Sequence, residues 1–219
     1  MLLGIDVGGT FTDAVAINEG QVLAQAKTPT TTNELLTGIL SALDKLLPQI
    51  DVRTVKRVAL STTIVTNALV QNRADAVGLV VLPGPGMDIT KLVPDEPYIL
   101  SGYIDHRGRE IAAPDKSEVA KVCQKLGDRR VFAVAGKFAV RNPQHELLVS
   151  EWINNLARPE HISQGAMISG TLNFVRRTNT AYYNAAVWRH FQNFARAIEQ
   201  ALKERGVTAP VYILKADGG

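Results

Sequence analysis

Residues 4–13 read Gly-Ile-Asp-Val-Gly-Gly-Thr-Phe-Thr-Asp, and this decapeptide constrains the chain more than any other part of it. An apolar segment breaks at Gly8-Gly9 and resumes, which predicts two strands joined by a sharp turn. With no Cβ atoms at the turn, its backbone N–H groups can approach phosphate oxygens closely. Thr10 and Thr12 can add hydroxyl donors to the same oxygens. Asp6 and Asp13 can hold a hydrated Mg²⁺ or orient water, because hard cations prefer carboxylate oxygen. An ordinary Gly-Gly turn would explain the glycines but not the two carboxylates and two threonines around them. The spacing predicts a phosphate-binding hairpin, with Asp6 and Asp13 as candidate catalytic carboxylates and Asp6 as the candidate Mg²⁺ ligand.

The far end carries a similar signal. Residues 210–219 read as a buried strand running into Asp217-Gly218-Gly219, a second phosphate turn cut off as it forms. A terminus inside an ordered turn would leave backbone groups unpaired, so the chain is expected to be the N-terminal part of something longer. A frayed tail with two incidental glycines is the alternative.

Between these ends the periodicity predicts an α/β domain. Residues 2–8, 11–18 and 21–27 read as an antiparallel meander broken at Gly8-Gly9 and Asn18-Glu19-Gly20. Leucines and isoleucine recur at 35, 36, 39, 40, 43, 46 and 47, an amphipathic helix capped near Thr32-Asn33 and ended by Pro48. A strand over 55–60 leads through Ser61-Thr62-Thr63 into a short helix, and residues 76–82 form an apolar strand. The stretch 83–116 is rich in Pro, Gly and Asp and reads as an irregular insertion of the kind that shapes pockets, with a hairpin near Arg107-Gly108. A helix over 117–126, a buried strand over 131–135, a helix start at Asn142-Pro-Gln-His-Glu146, a long helix over 172–205 and a strand over 211–215 follow. The whole of 1–219 is read as one mixed-sheet domain with flanking helices.

Composition narrows the functional class. At 219 residues, with 46% hydrophobic and 21% charged content, the chain can bury a sizeable core. No apolar run reaches the length of a membrane span, and Met1-Leu2-Leu3-Gly4-Ile5 lacks a basic leader. A single cysteine, Cys123, excludes an internal disulfide, and these features together favour the cytoplasm. The net charge of +3 comes from scattered basic residues with no aromatic interleaving, so neither nucleic acid nor a membrane is an expected partner. His106, His161 and His190 show no metal-ligand spacing.

The glycine hairpin followed by a later strand ending in Asp-Gly-Gly resembles the ribonuclease H-like folds of the actin, hexokinase and Hsp70 superfamily. Within it, the chain resembles the hydantoinase A and 5-oxoprolinase family through five motifs in one order. These are residues 4–13, Ser61-Thr-Thr-Ile-Val-Thr-Asn67, Asn142-Pro-Gln-His-Glu146, Arg177-Thr-Asn-Thr180 with Asn184-Ala185, and Asp217-Gly-Gly219. The resemblance implies the N-terminal ATP-binding part of an enzyme that hydrolyses a cyclic amide with Mg²⁺. It also implies an oligomer, often with a second subunit of hydantoinase B type. Related ATP-dependent carboxylases of acetone and acetophenone share this region, so a carboxylase subunit stays open, as does a non-catalytic nucleotide-sensing module. Gly86-Met87-Asp88, the segment 94–98 and Arg176 depart from the family pattern.

Under this resemblance Gly8, Gly9, Thr10 and Thr12, with Asp217, Gly218 and Gly219, are expected to bind the nucleotide. Ser61, Thr62, Thr63 and Asn67 are substrate-side candidates, because hydroxyls and an amide at a helix start can bind a carbonyl or its developing oxyanion. Ser61 serves equally well as a plain helix cap. Capping and first-turn electrostatics account for Asn142 and Glu146 but leave His145 as a substrate candidate. Arg177, Thr180 and Asn184 are candidates at helical spacings of three and four.

Overall fold

A computed structural model describes residues 1–30 and 35–214 of the chain. The helix cap expected at Thr32-Asn33 and the turn at Asp217-Gly218-Gly219 lie outside the described residues. The chain divides into two compact units, one of residues 1–73 and 189–219 and the other of residues 74–188.

In the first unit, β1 (Leu2–Val7), β2 (Phe11–Asn18) and β3 (Gln21–Pro29) form the expected antiparallel meander. Helix α1 (Leu35–Leu46) follows, then β4 (Arg57–Thr62) and α2 (Ile64–Val70). After the second unit the chain adds β11 (Val211–Ile213), giving the sheet order β11-β4-β1-β2-β3. β4 runs parallel to β1, and β11 parallel to β4. This mixed sheet is the expected ribonuclease H-like arrangement. Strand alternation sorts its two faces. Leu3, Ile5 and Val7, Ala14 and Ala16, and Val58 and Leu60 share one buried face with Ile39, Leu43 and Leu46 of α1. Each fully buried Leu or Ile here contributes about 1.5–3 kcal/mol. Asp6 and Asp13 point to the other face and are exposed.

The second unit holds β5 (Val77–Leu82), β6 (Tyr98–Ile99), β7 (Tyr103–Ile104), β8 (Glu110–Ala112), α3 (Lys116–Lys125) and β9 (Val131–Gly136). It continues through α4 (Gln144–Ala157), β10 (His161–Gln164), α5 (Gly165–Ile168) and the first part of α6 (Phe174–Glu204). In the parallel sheet β10-β9-β5-β6 the central strands β5 and β9 are buried on both faces, as parallel strands generally are. Val77, Leu79 and Val81 with Val131, Ala133 and Ala135 pack on Phe174, Ala181 and Ala185 of α6. Val80, Leu82, Phe132 and Val134 pack on α3 and α4. Gly78 lies opposite Phe132, and a Cβ there would occupy the space of its ring, so the glycine is demanded by packing.

Sequence periodicity located most of these elements within a few residues. It placed β7 and β8 around Arg107-Gly108 but gave no sign of β6, β10 or α5, each four residues or shorter. Segments that short carry too few periods for alternation to register.

Candidate active site

The turn at residues 8–10 sits at the carboxyl end of β1. Parallel strands β1 and β4 end side by side there, the edge at which open α/β sheets bind ligands. Gly8 N–H donates to the Phe11 carbonyl at 3.0 Å and closes the turn, and Thr30 N–H donates to the Thr10 carbonyl at 2.8 Å. Neither Gly8 nor Gly9 takes a positive φ, so the turn does not need glycine for its backbone conformation. The two glycines differ in their surroundings. A Cβ on Gly8 would lie 3.0 Å from the Phe11 carbonyl oxygen, whereas a Cβ on Gly9 would meet no described atom within 4 Å. At Gly9 the protein keeps open space above the backbone, and Thr10 beside it is exposed.

Register builds a polar row next to this turn. Asp6 pairs with Asp13 on β2 and with Ser61 on β4, and Asp13 pairs with Lys27 on β3. Two carboxylates directly opposite on one face repel each other. Lys27 relieves one of them, its Nζ lying 3.0 Å from Asp13 Oδ1 in an exposed ion pair, and it also sits 4.8 Å from the centre of the Phe11 ring. The Asp6 carboxylate has no hydrogen-bond or ion-pair partner among the described residues. No cluster of three His, Cys, Asp or Glu side chains that could hold a metal occurs among the described residues. A cation here would be held by one or two carboxylates, water and ligand oxygens, which is how Mg²⁺ is commonly bound. Asp6 fits that role, since its carboxylate is exposed and uncommitted.

Thr12 requires a correction. Its side chain points to the dry face of the sheet, fully buried, and its hydroxyl pairs with Thr30 Oγ1 at 3.0 Å. It is therefore not directed at a ligand on the Asp6 face. The alternation that exposes Asp13 forces this on its neighbour.

The β4–α2 junction completes the edge. Thr63 Oγ1 donates to the Val7 carbonyl at 3.4 Å, tying the junction to the end of β1. Thr62 Oγ1 accepts from Ile64 N–H at 3.2 Å in a local turn just ahead of α2, whose N-cap residue, Thr63, makes no side-chain capping bond. Ser61 is left beside Asp6 in the polar row. Asn67 Nδ2 donates to Thr63 Oγ1 at 3.4 Å, one helical turn on.

The candidates in the second unit separate into scaffold and surface. Asn142 Oδ1 accepts from Gln144 N–H at 3.1 Å while its Nδ2 donates to the Gly108 carbonyl at 3.0 Å. His145 Nε2 lies 2.7 Å from Glu110 Oε2. The motif thus fastens the β7–β8 hairpin to the start of α4. Glu146 is fully buried and accepts from Gly136 N–H and Ala166 N–H, both at 2.8 Å. Burial raises its carboxyl pKa above the usual value, against those two bonds and the charge of Arg177. Arg177, with no exposed surface, donates to the carbonyls of Thr171 at 2.7 Å, Lys137 at 2.9 Å and Gly136. Burial lowers its pKa while Glu146 pulls the other way. His145 and Arg177, the substrate-side candidates of this unit, are bonded to other protein groups in this structure. Both are buried and committed to holding β9, α4, α5 and the hairpin together.

Thr180 and Asn184 lie on the exposed side of α6, apart from Arg177. Thr180 Oγ1 donates back to the Arg176 carbonyl. Asn184 Oδ1 accepts from Ser163 Oγ at 2.8 Å, and Ser163 Oγ is 3.0 Å from His161 Nε2. Thr180 lines a cavity of about 680 Å³ at the start of α6 that also takes in Lys137, Arg176 and Asn179. The sequence reading missed Lys27, Glu110 and Lys137. Lys27 had a usable signal, since counting back from the Asn18-Glu19-Gly20 turn brings it close to Asp13. Glu110 and Lys137 had none, because their partners are set by tertiary packing.

Residues 2–157 match the hydantoinase/oxoprolinase N-terminal region family. The chain is 28% identical over 262 residues to the acetophenone carboxylase gamma subunit of Aromatoleum aromaticum, an alignment covering 99% of this chain and 35% of that protein. Its fold matches that of acetone carboxylase in a nucleotide-free structure with a TM-score of 0.80 at 17% identity, over 98% of this chain and 36% of the other. It matches the ATP-dependent caprolactamase from Pseudomonas jessenii with a TM-score of 0.77 at 23% identity, over 100% of this chain and 36% of the other. The chain therefore spans about a third of the length of these relatives. At such identities the two structural likenesses establish the α/β fold.

Proposed function

Because the chain belongs to the hydantoinase/oxoprolinase N-terminal region family, we propose that it is the phosphate-binding part of an ATP-dependent enzyme that activates a carbonyl by phosphoryl transfer, with a cyclic amide of hydantoin or 5-oxoproline type as substrate. The observation that carries this reading is the open space above Gly9, next to an exposed Asp6 carboxylate with no described partner. Amide resonance makes a lactam carbonyl a poor electrophile. When bound, a nucleotide would supply a phosphoryl group to the amide oxygen, giving an activated imidate whose carbon accepts water more readily; the ring C–N bond then breaks and phosphate is released.

Phosphoryl transfer depends mainly on positioning and charge neutralisation, and these residues divide that work. Gly9 and Thr10 admit phosphate oxygens to the backbone, with Thr10 Oγ1 as a donor. Asp6 would hold Mg²⁺ through its hydration shell, and Asp13 keeps Lys27 beside it. Ser61 and the second N–H of the Asn67 amide offer donors to the carbonyl along the same sheet edge, while Thr63 ties the junction to the end of β1 and Thr62 Oγ1 holds the Ile64 N–H. Asp217, Gly218 and Gly219 follow β11, which runs parallel to β4, and we assign them to the nucleotide as well. A second subunit, an oligomeric enzyme and a cytoplasmic setting complete the proposal.

A second reading, carboxylation of a ketone activated in the same way, is favoured by the likeness to the acetophenone carboxylase subunit. The two are separated by measuring ATP turnover of the intact protein with hydantoins, 5-oxoproline or caprolactam, and with acetone or acetophenone plus bicarbonate. Stimulation by a cyclic amide alone supports the hydrolase. Stimulation only by ketone with bicarbonate replaces it with the carboxylase, and the absence of nucleotide turnover with every substrate overturns both.

A further inference from the structure

We infer that the cavity at the start of α6 is a binding site for a small organic monocarboxylate, independent of the phosphate turn. Its volume of about 680 Å³ falls within the range of small-molecule pockets. Lys137 and Arg176 are the only charged side chains in its wall, both are cationic, and neither forms an ion pair among the described residues. The first turn of α6 opens on the same space through Phe174 and Val175, which adds the positive end of the macrodipole of a 31-residue helix.

The rest of the wall decides the ligand's body. Met87, Phe138, Leu172 and Tyr183 are apolar or aromatic, and Leu172 and Tyr183 expose 61% and 44% of their surface. A ligand with a hydrocarbon body would cover that surface, while its single negative charge met the two cations. A bare phosphate would leave that apolar surface uncovered, so the wall favours an anion with a hydrocarbon body.

The test is an amide-resolved NMR titration of the 219-residue chain with hexanoate, with hexanamide as the uncharged analogue of the same shape, and with inorganic phosphate. Hexanoate is expected to shift the amides of residues 137–138 and 172–180, and hexanamide to bind at least about tenfold more weakly. The double variant Lys137→Met, Arg176→Gln should reduce hexanoate affinity to that of hexanamide. Both side chains reach the surface, so the fold should be retained, as an unchanged melting temperature would verify. Equal affinities for hexanoate and hexanamide, shifts confined to another region, or unaltered hexanoate binding by the double variant would each overturn the inference. So would displacement of hexanoate by an equal concentration of phosphate. Nucleotide turnover does not enter this experiment, so its failure leaves the phosphate turn untouched.

Discussion

Replacing Arg177 by methionine should destabilise the second unit by about 4 kcal/mol, because the guanidinium is a structural cross-tie. Methionine keeps the apolar stem and much of its volume, so cavity formation contributes little. What disappears is the set of donors to three carbonyls, those of Thr171, Gly136 and Lys137. Acceptors left without a partner cost about 1–3 kcal/mol each when buried, and water reaching the more open of them lowers the sum. Glu146 also loses the favourable charge of Arg177, which acts on it without an ion-pair contact and so adds less than the lost hydrogen bonds. These contributions overlap and do not add in full, which sets the expectation near about 4 kcal/mol. Urea unfolding followed by tryptophan fluorescence is a suitable assay, since Trp152 and Trp188 both belong to the unit that holds Arg177. Arg177→Lys should recover only part of the loss, because one ammonium cannot reproduce the fork of donors. Adding Glu146→Gln to Arg177→Met should cost less than the two single changes summed, by about 1–3 kcal/mol. A stability within about 0.5 kcal/mol of wild type in Arg177→Met would refute the cross-tie, above all if catalytic activity were lost at the same time.

The two glycines of the turn should respond differently. Gly8→Ala brings a Cβ against the Phe11 carbonyl and should cost about 1 kcal/mol of stability in urea unfolding. Gly9→Ala should leave stability within about 0.5 kcal/mol yet weaken ATP binding by the intact protein, as calorimetry would read. Burial depresses the pKa of His161 below its ordinary value, so the unfolded chain takes up the proton first. The stabilising contribution is therefore complete above about pH 6.5 and declines as pH falls towards the folded-state pKa. His161→Phe, which keeps a ring against Trp188, should show a smaller fall in urea midpoint between pH 7.5 and 5.0 than wild type. An equal or steeper fall would contradict that assignment.

The meander, α1 and the apolar strands were readable because alternation and helical spacing run over enough residues to exclude other periods. The turn was readable because glycines, hydroxyls and carboxylates crowd one short segment. Which face each side chain takes was readable in principle and misjudged at Thr12. A strand that exposes Asp13 must bury Thr12, and residue type alone pointed both at the ligand. Arg177 and His145 illustrate a different limit. Their polar character announced a special role, but only the packing of β9, α4, α5 and the hairpin reveals that their partners are protein carbonyls and Glu110. The division into separate sheets was hidden because nothing local in β4 or β5 specifies which strand its neighbour will be.

The central claim, that Asp6 and the open turn at Gly9 serve phosphoryl transfer, is tested most directly on the intact protein with Asp6→Asn. ATP affinity and the single-turnover rate of phosphate release are measured together on wild type and variant. Backbone donors of the turn survive the substitution while the carboxylate's charge does not. Affinity should therefore stay within about threefold of wild type and the rate should fall by about a hundredfold or more. Equal losses in both quantities, or a loss of affinity with the rate preserved, would contradict the account.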